Sequence, residues 1–248
     1  MSLYALGDLH LHFQVPLPMR AHQDSGVWRS HEKQFADNCR SLIKPDDTLV
    51  LMGDHSWGKR LSECEQDLAY ISALPGRKIL LRGNHDEFWD AKKTAALNER
   101  FQGQLFFLQN NYAPYGDYAL VGTKGFTFEG PFYVDFHHRI YDWDRQAELH
   151  AAKLVERELI RLEASFEAAR KDGYSKFIMF LHFPPTSILE EESGFTQMAE
   201  AYGAEQVLYA HCHGQTRFHD SLEGMVHGIW YQLCSGDYLC WKPYRVLP

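Results

Sequence analysis

The chain has 248 residues, with 25 Lys and Arg against 33 Asp and Glu for a net charge of −8, and it holds 14 histidines. With 45% hydrophobic and 23% charged residues, its composition excludes intrinsic disorder, a collagen-like fold and a coiled coil. The acidic balance argues against stable binding to nucleic acid, and no run approaches the ~18 apolar residues that a bilayer crossing needs.

Leu3–Leu6 is a short apolar run that ends at Gly7-Asp8 and predicts a first strand. The start of the chain is neither basic nor apolar for long, so no signal peptide is expected. His31–Ile43 has helical spacing, with Phe35, Cys39 and Leu42 on one face. Thr48–Met52 reads as a second strand, stopped by Gly53-Asp54. Leu61, Cys64, Leu68 and Ile71 form the stripe of another helix, closed by Pro75-Gly76. A third strand, Lys78–Leu81, stops at Gly83-Asn84. This alternation predicts an α/β fold with a largely parallel first half.

Leu105–Leu108, Tyr112–Tyr115 and Tyr118–Val121 read as a meander, with Pro114 restricting the middle run to an edge or a loop. Residues 142 to about 171 predict one long helix. Lys176–Leu181 and Val207–Tyr209 are further buried strands, ending at His182 and His211. Met225–Leu233 reads as the last long strand. Residues 1–248 are expected to form a single domain, with an insertion near 125–143. The five scattered cysteines suit reduced thiols, so a cytoplasmic location is expected.

Five of these breaks place metal-type ligands just past an apolar run: Asp8-Leu9-His10, Asp54, Asn84-His85-Asp86, His182, and His211-Cys212-His213. In open α/β sheets, ligands gather in the crevice beyond the carboxyl ends of the strands. In extended backbone, residues two apart point the same way, so Asp8 with His10, and His211 with His213, are expected to share a cavity while Cys212 points away. Each signal has a plainer reading. Asp54 suits an Asx turn, His182 a core histidine, and His211-Cys212-His213 a lone structural zinc site. The five in order favour convergence on one site.

The ordered set resembles the calcineurin-like metallophosphoesterases, whose pattern is D-x-H, G-D-x-x-D, G-N-H-[DE], a lone His and G-H-x-H. Here the matching residues are Asp8-Leu9-His10, Gly53-Asp54-His55-Ser56-Trp57, Gly83-Asn84-His85-Asp86, His182 and Ala210-His211-Cys212-His213. The resemblance implies a four-layer αββα sandwich of two mixed β-sheets flanked by helices. It also implies two metal ions. Asp8, His10 and His213 would hold the first; Asn84, His182 and His211 the second; Asp54 would bridge both. That mixed nitrogen and oxygen set suits Mn, Fe, Zn or Co.

The implied activity is hydrolysis of a phosphate mono- or diester by attack of a metal-bridging hydroxide, with Asp54 in the catalytic centre and His85 as general acid. The expected substrate is a small phosphate ester or nucleotide. Phosphoprotein phosphatase, nuclease and non-catalytic metal-binding scaffold are the alternatives.

Two positions depart from the pattern. Ala210 replaces a Gly, and Trp57 replaces the second Asp of G-D-x-x-D, which in the family can orient the catalytic His. Asp86 is not an obvious replacement. Arg60 and Arg82 sit near the ligand loops, as phosphate contacts or as solvated charges. Gly125–Trp143 is rich in aromatics and suits either a wall of the site or a cover for a sheet edge. His12, His55, His137 and His138 are expected nearby.

Overall fold

The computed structural model describes residues 1–18, 26–126 and 145–248. A first sheet contains β11 (Tyr244–Leu247), β1 (Leu3–Leu6), β2 (Thr48–Met52), β3 (Arg77–Leu81) and β4 (Leu105–Leu108), in that spatial order. Strands β1 to β4 are parallel, and β11 is antiparallel at one edge. A second sheet runs β5 (Ala113–Tyr115), β6 (Tyr118–Thr123), β7 (Lys176–Leu181), β8 (Ala204–Tyr209), β10 (Ile229–Leu233) and β9 (Gly224–Val226). Its four central strands are parallel, and β5 and β9 are antiparallel edges. Both sheets are therefore mixed.

Three apolar layers hold the fold together. Between the sheets lie Leu3, Val50, Ile79, Leu120, Ile178 and Leu208. On the outer face of the first sheet, Phe35 and Cys39 of α1 (His31–Leu42) and Leu68 and Ile71 of α2 (Glu65–Ser72) pack on Leu6, Leu49 and Leu80; Leu97 of α3 (Thr94–Arg100) joins them. On the outer face of the second sheet, Val155, Leu162 and Phe166 of α4 (Arg145–Lys171) and Phe195 and Ala199 of α5 (Gly194–Tyr202) cover Val121, Met179 and Val207. The four-layer α/β arrangement follows, because central strands buried on both faces need helices outside.

Three expectations are corrected. The run from Leu105 to Val121 is not a meander: β4 extends the first sheet in parallel with β3, and only β5 and β6 form a hairpin. Pro114 does sit on an edge strand, where a missing N–H is tolerated. Met225–Leu233 is not one strand. His227 and Gly228, with φ of 49° and 83°, turn the chain between β9 and β10, and left-handed backbone at both turn positions suits a tight hairpin. The last strand is instead β11, which returns to the first sheet beside β1. Most of Gly125–Trp143, including His137 and His138, lies outside the described residues. No helix among the described residues is long and apolar enough to cross a membrane.

Candidate metal centre

The loops after β1 and β2 continue to pair beyond the strands. Asp8 N–H donates to Gly53 O (3.0 Å), His10 N–H to Asp54 O (2.7 Å) and Trp57 N–H to Leu11 O (2.9 Å). The backbone there is not extended. Asp8, His10, Asp54 and His211 all have left-handed φ, at 65°, 47°, 54° and 68°. The expected alternation of an extended segment therefore does not aim these side chains. A strained local backbone does, of the kind that persists where surrounding structure holds it and often marks a functional site.

Two glycines create the room. A Cβ on Gly83 would lie 2.1 Å from Asp54 Oδ1, and one on Gly53 would lie 2.6 Å from His182 Nδ1.

All seven expected ligands come together. Asp8, His10 and His213 offer donor atoms within 4.8 Å of one another, as do Asp54, His182 and His211. Asp54 Oδ2 lies between the groups, 3.6 Å from His10 Nε2 and 3.5 Å from His182 Nε2. Asn84 joins the second group, with Oδ1 2.7 Å from His182 Nε2. His85 stands at the mouth, its side chain 40% exposed and its Nε2 4.0 Å from Asp54 Oδ2. His85 N–H donates to Asp54 Oδ1 (2.8 Å), which ties the acid candidate to the shared carboxylate. Cys212 faces the apolar layer of the second sheet, as expected.

The donor set fits metal ions. His182 Nδ1 donates to Met52 O (2.9 Å), so a neutral ring turns its Nε2 lone pair toward the Asn84 oxygen. Two facing acceptors need a proton or a cation between or beside them. Asp8 Oδ1 is buried without a hydrogen bond, 3.8 Å from both His182 Nδ1 and His213 Nε2. His213 Nδ1 donates to Asp237 Oδ1 (3.0 Å), leaving Nε2 for the cluster. A carboxylate behind a metal-facing imidazole fixes its tautomer and raises its basicity.

The electrostatics agree. Burial drives His10 down to about 3 and His211 well below the usual range, so both rings are neutral ligands in waiting. Burial also opposes charge on His182, but Asp54 and Asp8 outweigh it and lift the ring to about 9. The Asp54 and Asp8 carboxylates thus favour positive charge within the cluster.

The sequence carried no expectation for Asp67 or Asp237, and placed Asp86 only within the Asn84-His85-Asp86 group. Asp86 accepts from the backbone N–H of Asp54 (2.9 Å), His55 (2.8 Å) and Gly83 (2.7 Å), and from His55 Nδ1 (2.9 Å). It fixes the two ligand loops to each other and pairs with His55, not His85. Asp67, buried on α2, accepts from Ser56 Oγ (2.5 Å) and Phe13 N–H (3.0 Å) and so steadies the loop before Trp57. A carboxylate on the apolar stripe of a helix was its one sequence signal. Asp237 follows β10, a sixth strand end of the same kind as the five recognised.

The arginines separate. Arg60 is exposed, and its contacts among the described residues run to Glu63 and Cys64 rather than to the cluster. Arg82 stands one residue past β3, next to Gly83, and its Nε is buried without a hydrogen bond. His12 Nδ1 lies 3.4 Å from His10 O, beside the site.

Fold and site define a class: a two-sheet α/β protein with a histidine–carboxylate metal cluster at the carboxyl ends of its strands. Residues 1–215 match the model of the calcineurin-like phosphoesterase family, and the chain belongs to that family. The two groups of metal-type donors agree with that membership.

The chain is 34% identical over 79 residues to the Gene 66 protein of Mycobacterium phage L5, a match covering 32% of this chain and 37% of that protein. It therefore spans well under half the length of that curated relative. Among solved structures it is similar to TT1561 of Thermus thermophilus (TM-score 0.57, 13% identity, 99% of this chain and 97% of that one). It is also similar to the phosphopantetheinyl hydrolase PptH of Mycobacterium tuberculosis (TM-score 0.52, 16% identity, 100% and 96%). At such identities the likeness shows the fold alone.

Proposed function

We propose that the chain hydrolyses a small phosphate ester at a centre of two metal ions. Asp8, His10 and His213 would hold one ion, Asn84, His182 and His211 the other, and Asp54 would touch both. The observation that supports this most is the place of Asp54 Oδ2, within 3.6 Å of imidazoles from both groups.

When bound, ions of the Mn, Fe, Zn or Co type polarise phosphoryl oxygens and lower the pKa of water. The chain's own residues do the rest. Asp8 and Asp54 bring negative charge to a site closed to solvent on the protein side. Asp237 holds the His213 ring in one tautomer through Nδ1. His85, partly exposed beside Asp54, is placed to give a proton from its imidazole to the departing ester oxygen.

The test is a screen of aryl phosphate mono- and diesters with Mn, Fe, Zn and Co. The purified protein is expected to hold about two ions per chain by elemental analysis. Asp54→Asn is expected to abolish hydrolysis. Full activity in that variant, or no bound metal after supplementation, overturns the proposal.

A further inference from the structure

A second cluster of charge lies beside the first. Arg82 follows β3, and Lys124 follows β6. The two strands meet across the sheets: a Cβ on Gly122 of β6 would lie 3.0 Å from Leu81 Cδ1 of β3. Arg82 and Lys124 therefore leave the two sheets at the same carboxyl rim. Behind them stand Arg157 and Arg161 of α4, whose charges act on both Arg82 and Lys124.

Two buried carboxylates act on these cations: Asp86 on Arg82, and Glu158 on both Arg82 and Lys124. Glu158 is fully buried, and both of its oxygens are taken. Oε1 accepts from Arg161 Nη1 (2.6 Å) and Arg157 Nη2 (3.1 Å), and Oε2 accepts from Thr123 Oγ1 (2.7 Å). The Glu158 charge also acts on Lys124 and Arg82. Lys124 is 8% exposed, with its ammonium 5.3 Å from the Phe183 ring centroid and 5.6 Å from that of Phe126. Arg82 Nε is buried without a hydrogen bond. In a chain with a net charge of −8, Lys124 and the Arg82 Nε are thus cationic donors with little access to water, backed by the more exposed Arg161 and Arg157, and a further anion would relieve the cost of desolvating them.

The cluster adjoins the metal centre directly. Lys124 O accepts from the N–H of His182 (3.2 Å) and of Phe183 (2.9 Å). The Phe183 ring under the Lys124 ammonium also lies 4.2 Å from the His211 ring. One aromatic ring contacts both sites. Guanidinium forks and an ammonium together match the oxygens of a phosphoryl group.

We propose that Arg82, Lys124, Arg157 and Arg161 form a second anion subsite beside the metal centre, and that the substrate is a phosphoester carrying a second phosphoryl group on a short spacer. This deepens the proposed activity and rests on it: one phosphoryl group is hydrolysed at the metals while the other is held by the basic cluster.

The experiment compares alkanediol bisphosphates of graded chain length with the matching alkyl monophosphates, as inhibitors of p-nitrophenyl phosphate hydrolysis. In the wild-type protein the best bisphosphate is expected to bind at least about tenfold more tightly than its monophosphate, the contribution of one charge-assisted hydrogen bond. An optimum in spacer length is expected as well. Lys124→Met and Arg82→Gln, checked for native melting, are expected to collapse that ratio. ω-Phosphoalkanoates of the same length distinguish a carboxylate from a phosphoryl partner, and a carboxylate that binds equally well overturns the phosphoryl assignment.

Calorimetric titration of the bisphosphates into wild-type and Lys124→Met protein reads the subsite even if no ester is hydrolysed. Loss of all hydrolysis with the bisphosphate preference intact overturns the proposed activity and not the subsite. Hydrolysis with no bisphosphate preference overturns the subsite and not the activity.

Discussion

The indole of Trp57 lies against the imidazole of His85, with ring centroids 4.4 Å apart and planes inclined by 54°. The same indole stacks on His10, 4.7 Å away and inclined by 23°. Trp57 occupies the position of the second Asp of the G-D-x-x-D pattern. Asp86 does not pair with His85, because its oxygens are bound to the two ligand loops and to His55. The His85 ring is therefore packed against Trp57, while its backbone N–H is held by Asp54.

Trp57→Ala is expected to lower kcat by roughly 100-fold, the scale on which a misplaced catalytic group acts. Trp57→Phe is expected to restore most of that loss. The loss is expected to be larger with alkyl than with nitrophenyl leaving groups, because only the former need a proton. A uniform loss across leaving groups, read from kcat on an ester series, contradicts positioning of the acid and points to the His10 contact.

His85 itself gives a sharper version of the same measurement. His85→Asn is expected to slow alkyl phosphates by roughly 10²- to 10⁴-fold, the usual range for general acid catalysis, and nitrophenyl phosphate far less. Equal slowing of both removes the general-acid role.

Much of the site was legible because it uses side-chain types at strand ends. Asp8, His10, Asp54, Asn84, His182, His211 and His213 each follow an apolar run, and all seven meet. The reason they meet was not legible. Left-handed φ at Asp8, His10, Asp54 and His211 is a property of loops held by long-range backbone hydrogen bonds. Register has the same character. The parallel pairing of β4 with β3, and the return of β11 to β1, depend on residues distant in sequence. Asp86 looked like part of the G-N-H-[DE] motif, and only its four donors reveal it as a tether.

Asp237 tests how far the metal centre depends on residues that touch no metal. It accepts from His213 Nδ1 at 3.0 Å and is buried. Asp237→Asn keeps the shape but removes the charge behind the ring. Metal affinity is expected to fall by roughly 10- to 100-fold, as is usual for such partners. Competition with a chelator reads the change, and an unaltered affinity removes Asp237 from the centre.

With the proposed ligand set, protons are expected to compete with metal at His182. In the metal-free protein its ring is lifted to about 9, while an unfolded histidine titrates near ~6.5. The raised value means that the protonated ring stabilises the fold fully below about 6.5, and that this contribution is lost as pH climbs through about 9. Metal uptake near neutral pH must therefore expel a proton from His182. Apparent Mn affinity is expected to rise with pH until about 9. Calorimetry in buffers of different ionisation enthalpy measures the expelled proton, and uptake with no proton released contradicts the account.

Gly7 and Ala210 explain the other departure from the family pattern. A Cβ on Gly7 would lie 2.5 Å from Ala210 Cβ and 3.3 Å from Met52 O. The methyl that replaces a glycine hydrogen at 210 is accommodated because residue 7 has none. Both residues border ligands, Asp8 on one side and His211 on the other, and His211 N–H donates to Asp8 Oδ2 (3.0 Å). Gly7→Ala alone is expected to destabilise the protein by about 1–3 kcal/mol, the usual scale of overpacking. Gly7→Ala combined with Ala210→Gly is expected to recover most of that loss, so the pair is strongly non-additive in denaturant unfolding. The double variant is also expected to regain metal content, because the clash pushes the two ligand loops apart. Additive losses in the double variant contradict the exchange of space between these two positions.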